Sequence, residues 1–357
     1  MSDDLKPIGN ILNDVIKKIP PKPNNESNNK PTNTNDDDNN KIQFKQKKCK
    51  FSRDLIEYPI SKNWLTSTIT TDKGKTYMDK EFKTSSEYDY MVRTLLPFNK
   101  NITLFDSKVL LVISYLADFF TKKSGYYEDK HRFITVSFLD FIELLGVKHT
   151  GHYKKALIDT LNYYTNTTHY TPYIWDCDNK KRSNEIPLTD EGKIDYSKLK
   201  DFSVWHIINA YHFKNPDDLQ GKSKKRCYNP RIEIELSREF YYSFLKYYTL
   251  IDFKKTVSLK NPTSLNLYLF LKNNWGVKFY KYSIGFEKLK KAIDITDTNE
   301  SRAKDTFKTA WNKLKEQGLL SNYSKEQVLL SYLDYDFKPS KTGKEKIDFK
   351  LIKVSRA

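Results

Sequence analysis

The sequence predicts an α+β fold in which one order of elements occurs twice behind a low-complexity N-terminal arm. Three observations predict it. Apolar residues recur at helical spacing in two separated segments, at Val109, Val112, Ile113, Leu116, Phe119 and Phe120, and again at Leu265, Tyr268, Leu269 and Leu271. Each segment is followed by a short strand-like run, two further helices and a pair of strand-like runs. The stretch from residue 19 to 50, with Pro20-Pro21-Lys22-Pro23 and the polar run Asn33–Asn40, has too little apolar area to fold on itself.

The elements follow in order. Residues 1–50 are expected to be a disordered Asn/Lys-rich arm, with a short helix at Ile8–Ile19 and a basic end at Lys45, Lys47, Lys48 and Lys50 suited to phosphate. Residues 51–103 show apolar islands without a period and are read as an extension that packs on the first domain. In the first domain, 104–250, Asp106 is the expected N-cap of a helix over Ser107–Lys122. His131–Val136 is a strand, Ser137 caps a helix closed by Gly146, and Thr150 caps a third helix from Gly151 to about Tyr164. Strand-like runs follow at Phe202–Phe213 and Arg231–Leu236. In the second domain, 251–357, a helix opens at Pro262-Thr263, Phe279–Ser283 is a strand and Phe286–Ile293 a helix. Thr298–Gly318 is the third helix, with Ala303, Phe307, Ala310, Trp311 and Leu314 on its buried side and Gly318 as C-terminal cap. A hairpin over Leu319–Tyr323 and Gln327–Asp334 and a run at Ile347–Val354 complete it. Helix, strand, helix, helix and hairpin is the order of a winged helix-turn-helix, so two such domains in tandem are expected.

Charge narrows the partners. Lys and Arg number 62 against 45 Asp and Glu, a net +17, which favours DNA, RNA or an anionic surface. A composition rich in Lys, Asn, Ile and Tyr also fits AT-biased coding, so charge alone does not choose among them. No apolar run reaches the ~20 residues needed to span a bilayer, and Met1–Asn10 lacks a secretory core. Cys49, Cys177 and Cys227 are scattered, with neither disulfide nor zinc spacing. A soluble, cytoplasmic protein without metal or cofactor is expected. No phosphate loop, dinucleotide fingerprint or serine elbow occurs, and the six histidines form no metal pair, so no catalytic residue is assigned and an enzyme is not expected.

A winged helix presents its third helix to the major groove and its hairpin to the backbone or minor groove. At ~100° per residue, the buried side of each third helix fixes the outward one. In the first domain Thr150, His152, Lys154 and Lys155 are the contact candidates, with Asp159 and Asn162 on the same outward side. In the second they are Thr298, Asn299, Ser301, Arg302, Lys304, Asp305, Lys308, Thr309 and Asn312. Arg302 has the fork to read guanine and Asn299 the amide to read adenine, whereas Lys155 and Lys308 suit phosphates. Lys180, Lys181 and Arg182, then Lys224, Lys225 and Arg226, and finally Lys325 are candidate loop or wing-tip contacts with the backbone.

Three segments carry a resemblance: Asn261-Pro-Thr-Ser-Leu-Asn-Leu-Tyr-Leu-Phe-Leu-Lys, Ser283-Ile-Gly-Phe-Glu-Lys-Leu-Lys, and Phe307–Gly318 running on into Leu319-Leu320. Together with Pro230-Arg-Ile-Glu-Ile-Glu-Leu-Ser-Arg-Glu-Phe they resemble the plasmid replication initiators with tandem winged helices, over about residues 104 to 336. The resemblance implies binding of double-stranded DNA at repeated origin sequences, recruitment of the host initiator and replicative helicase, and a homodimer in equilibrium with monomer. It places base reading on Thr298–Thr309 and a lesser contact role on Thr150–Lys155. The Asn-rich arm and the segment from Lys122 to His131 depart from the family. A winged-helix transcription regulator and a DNA nicking enzyme are the alternatives. Direct repeats beside the gene favour initiation, a single palindrome favours regulation, and dependence on metal and on a single Tyr or His favours nicking.

Overall fold

Helical spacing in the sequence reappears as helices buried on one side, and alternation as paired strands. A computed structural model describes residues 46–57, 66–83, 89–124, 129–147, 151–171, 175–176, 181–182, 203–214, 230–275, 281–323, 329–339 and 345–353. The result is a mixed helix and sheet architecture. The expectations for residues 1–45, including the helix at Ile8–Ile19, lie outside the described residues.

The first strand, β1 (Lys48–Ser52), pairs antiparallel with β12 (Tyr248–Asp252), and their inner residues Cys49 and Ile251 are fully buried. Both strands run across positions where the sequence reading divided the chain. Lys48–Lys50 belong to a strand rather than to the arm, and Lys50 is itself buried, with its ammonium 4.2 Å from the ring centroid of Tyr248. The expected division between residues 250 and 251 falls inside β12. Pairing with distant residues created this ribbon, and no local pattern announces it. A short helix, α1 (Asp54–Glu57), follows β1.

Residues 66–95 also differ from expectation. They form three strands, β2 (Thr66–Asp72), β3 (Lys75–Lys83) and β4 (Asp89–Leu95), which enter a five-stranded sheet with β6 (Thr167–Thr171) and β9 (Ser203–Trp205) in the order β2-β3-β4-β6-β9. Polar residues such as Thr70, Asp79 and Arg93 stand on one side of this sheet, so the strands show no continuous apolar signal. Arg93 makes a two-pronged pair with Asp79 at 2.8 and 2.9 Å. On the other side His169 is fully buried and stacks on Trp205 at 4.4 Å.

The remainder repeats one order. In the first half α2 (Leu104–Ser124) leads through a 3-10 turn (Asp129–Arg132) to β5 (Phe133–Ser137), α3 (Phe138–Leu144) and α4 (Gly151–Thr165). Strands β10 (Ile208–Lys214) and β11 (Arg231–Leu236) then give a sheet ordered β10-β11-β5. Two residue pairs, β7 (Trp175–Asp176) and β8 (Lys181–Arg182), form a separate ribbon. After α5 (Arg238–Lys246), β12 and α6 (Phe253–Ser258), the second half runs α7 (Pro262–Trp275), β13 (Lys281–Gly285), α8 (Phe286–Ala292) and α9 (Glu300–Glu316). Strands β14 (Ser321–Tyr323), β15 (Leu329–Pro339) and β16 (Glu345–Lys353) close it in the order β13-β16-β15-β14. The alternating run at the C-terminus therefore is a strand. In both halves the strand before the second helix pairs with the last strand of the set, β5 with β11 and β13 with β16.

The turn after the second helix repeats too. Gly146 has φ +67 and Asp294 φ +61, and each is followed by a residue whose N–H returns to the helix: Val147 to Ile142 O at 3.4 Å, Ile295 to Lys290 O at 2.9 Å. One difference breaks the symmetry. β14, directly after α9, stays in its own sheet, whereas β6, directly after α4, leaves for the five-stranded sheet. The run Phe202–Phe213 correspondingly splits into β9 and β10, which serve different sheets.

Capping largely matches the sequence. Ser137 caps α3, accepting from Asp140 N at 3.1 Å, and Gly318, at φ +63, closes α9. Asp106 is not the cap of α2. Thr103 holds that place, and the two residues form a reciprocal box, Thr103 N to Asp106 Oδ2 at 2.7 Å and Asp106 N to Thr103 Oγ1 at 3.4 Å.

His169 supplies a pH test. Burial, with nearby His206 adding to it, pushes its pKa down to about 3. The unfolded chain takes up this proton near pH ~6.5, so the stabilisation from His169 is complete above that pH and declines as pH falls toward 3. Its slope is at most ~1.4 kcal/mol per pH unit. Urea unfolding at pH 7 and pH 5 should show this loss for the native chain and a flatter dependence for His169→Phe. Equal slopes would place the proton elsewhere.

Candidate nucleic-acid interface

The amphipathic sequence of α9 produces its two-sided environment. Ala303, Phe307, Ala310, Trp311 and Leu314 are buried, and their rings meet those of the sheet: Phe307 with Tyr335 at 5.0 Å, Trp311 with Tyr335 at 4.7 Å and with Phe349 at 5.8 Å. Thr298, Asn299, Ser301, Arg302, Asp305, Lys308, Thr309 and Asn312 are all exposed, as their spacing predicts. The structure thus brings this group together along one helix.

Their chemistry differs within the group. Asn299 is the N-cap, and its Oδ1 accepts from Arg302 N at 3.2 Å, so half of its amide serves the helix rather than a base. Lys304 is only partly exposed. Its ammonium lies 2.5 Å from Glu345, 3.4 Å from Glu300 and 5.5 Å from the ring centroid of Phe337, and the bond to Glu345 raises its pKa. Lys304 therefore ties the first turn of α9 to the start of β16. Lys308 stands 3.6 Å from Asp305, a weak exposed pair that a phosphate can replace. Arg302 forms no ion pair with any described residue, which leaves its guanidinium available.

In the first half, α4 turns Lys154 and Lys155 outward and exposed, with Asp159 beside them. Asn162, expected on the outward side, is half-buried, and its Oδ1 accepts from Tyr211 OH at 2.7 Å, fixing α4 to β10. A buried polar node fixes the other side of α4. Asp106 accepts from Lys100 Nζ at 2.5 Å and from Thr160 Oγ1, and its carbonyl accepts from Tyr164 OH at 2.9 Å. The side chain of His152, Thr150 as a whole, Lys180, Lys224, Lys225, Arg226 and Lys325 lie outside the described residues. Lys181 and Arg182 are placed in β8 by backbone pairing alone.

The outer side of the sheet beside α9 carries residues that the sequence did not single out. Ser283, Asp348 and Asp336 face one another across β13, β16 and β15, flanked by the row Lys346 and Lys338 and by Lys350. Asp348 is buried among them. Ser283 Oγ at 2.5 Å and Lys338 at 3.2 Å hold its carboxyl below the usual range. Strand register brings these residues together, so only knowledge of the pairing would have found them. Among the described residues no group of His, Cys, Asp and Glu could hold a metal ion, and no helix is long and apolar enough to cross a membrane.

No protein-family model matches the chain, and no curated protein matches it. Solved structures do. A crystal structure of RctB domains 2-3 is 10% identical, covers 84% of this chain and 96% of its own, and has a TM-score of 0.42. A selenomethionine derivative of the same two RctB domains gives 9%, 84%, 97% and 0.43. A crystal structure of Pi initiator protein in complex with iteron DNA gives 11% identity, 71% of this chain, 92% of that one and a TM-score of 0.42.

Lys304 and Arg302, two residues apart, should separate in a stability measurement. Lys304→Ala breaks the tie to β16 and should lower unfolding free energy by up to about 1 kcal/mol. Arg302→Ala should stay within ~0.5 kcal/mol of the native chain in urea. Equal losses would show that Arg302 also holds the fold.

Proposed function

We propose that the chain is a double-stranded DNA-binding protein with two tandem winged-helix units, which recognises repeated sequences at a replication origin and promotes replication without catalytic turnover. The observation that carries this reading is α9. One side is closed by an aromatic core, and the other is exposed and rich in hydrogen-bond donors, with Arg302, which has no ion pair among the described residues, in the first turn. A helix of this kind fits a major groove, and arginine there forks onto guanine O6 and N7. The adjacent sheet, with Lys338, Lys346 and Lys350 on its outer side, fits the role of a wing against the backbone. The first half, with Lys154 and Lys155 outward, supplies phosphate contacts and less base reading. Origin repeats, the host initiator, the helicase and a homodimer rest on the resemblance of Asn261–Lys272, Ser283–Lys290 and Phe307–Leu320 to plasmid initiators.

The test begins with a random duplex pool from which the purified full chain selects its preferred sequence. A recurring motif should emerge. Arg302→Ala should then weaken binding to the selected duplex by about 1–3 kcal/mol, roughly 5-fold to 160-fold, and relax selection at one base position. Lys308→Ala should weaken selected and unselected duplexes alike. An affinity unchanged by both substitutions would remove α9 as the reading helix, and no enrichment at all would remove sequence-specific binding.

A further inference from the structure

The ribbon of β1 and β12 is bonded to both halves, each time through the first helix of the repeated order. Toward the first half it meets α2. There the buried carboxylate of Asp118 accepts from Gln46 Nε2 at 2.5 Å and from Lys50 N at 3.3 Å. Toward the second half it meets α7. Asp252 N donates to Tyr268 OH at 3.1 Å, and Thr249 Oγ1 donates to Lys272 O at 3.3 Å.

Arg53, the residue after β1, adds a charged, two-pronged bond to the same helix. Its Nε donates to Asn273 Oδ1 at 2.6 Å, and its Nη2 donates to the carbonyl of Asn273. Its own N–H donates to Tyr247 O at 3.0 Å, and its guanidinium lies 5.2 Å from the Tyr247 ring centroid. Asn273 is buried near the end of α7, where the last carbonyls lack partners within the helix. A cation there meets the negative end of the helix dipole and satisfies two acceptors at once. The bonds from Asp252 and Thr249 are single and uncharged. A separate link from α6 holds the end of α9, where Ser258 Oγ donates to Gln317 Oε1 at 3.3 Å. The attachments at α7 and at α9 together fix an orientation that either alone leaves free to pivot.

We propose that Arg53 is a positioning residue, which locks the β1–β12 ribbon onto the end of α7 and so sets α9 against α4 for binding to duplex DNA. The proposal rests on the DNA-binding reading and assigns the orientation of its two contacting helices to one side chain. Arg53 acts through α7, which packs on α9, and reads no base itself. Without it, the orientation set during folding has to be set again at each binding event, at a cost in affinity.

Spin labels on α4 and α9 measure the orientation directly. The full chain carries Asp159→Cys and Lys315→Cys, both at exposed positions, with Cys177 and Cys227 changed to Ser. Cys49 is buried and takes no label. With Arg53 present, one narrow label-to-label distance is expected. Arg53→Ala should broaden it while circular dichroism keeps the native helix content. Arg53→Lys keeps the charge without the fork and should broaden it less. On the duplex selected by the native chain, Arg53→Ala should bind roughly tenfold more weakly, and a fresh selection with this variant should return the same bases. A distance as narrow in Arg53→Ala as in the native chain would overturn the proposal and leave the DNA-binding reading standing. So would a broadened distance with unchanged affinity, and so would loss of helix content, which would make Arg53 a support of the fold alone. Absence of native binding to any duplex would overturn both.

Discussion

Burial of one side of α9 is the constraint on which the second half depends. Phe307, Trp311 and Leu314 sit at three- and four-residue intervals, so they form one stripe, and Tyr335, Phe337 and Phe349 meet that stripe from the sheet. Truncating one such ring typically costs about 3–5 kcal/mol against a total stability of about 5–15 kcal/mol. The helix therefore cannot rotate to bury another side. With rotation fixed, Arg302, Lys308 and Thr309 have only one direction to face. The same pairing sets the alternation of β15 and β16, which puts Tyr335 and Phe337 inward and Asp336 and Lys338 outward. The exposed side of α9 and the charged grid of the adjacent sheet thus follow from a single packing event.

The first half reaches a similar arrangement by different means. There α4 is held by directional bonds as well as apolar packing: Asp106 with Thr160, Tyr164 with the carbonyl of Asp106, and Asn162 with Tyr211. A fully buried carboxylate is tolerated because Thr103, Lys100 and Thr160 all donate to it. Bonds of this kind fix the angle between α2 and α4 more sharply than ring contacts do, but they consume polar residues that would otherwise face outward. Asn162 is the example, since its side chain is drawn toward β10 and half-buried.

Local pattern carried most of the helices and caps. Ser137, Gly146 and Gly318 signal their own positions, because a hydroxyl before a helix and a glycine after it answer local hydrogen-bond needs. The buried stripe of α9 was equally legible, and with it the outward group from Thr298 to Asn312. What stayed hidden depends on partners far away in sequence. The pairing of Cys49 with Ile251 joins strands about two hundred residues apart. In the strands over 66–95 the buried residues include Asp79, Lys80 and Thr94 beside Val92, so burial there does not follow an apolar period. Lys304 looked equivalent to Arg302 and Lys308 until Glu345 and Phe337 were placed beside it. Asp294 matches Gly146 in backbone conformation and in the bond that follows, yet as an aspartate it gave no sign of a positive φ.

The seam decides how the halves are held relative to one another. A flexible linker would let each unit bind independently and would gain only through raised local concentration. Here the chain passes between the halves through β12 and α6, and both are fixed. β12 pairs with β1, while α6 contacts α2, the turn at Gly146 and the end of α9. The entropy of orienting one unit against the other is thus spent during folding and not during binding. The chain therefore holds α4 and α9 at a set distance and angle, fixed by the contacts of α6 rather than by any ligand.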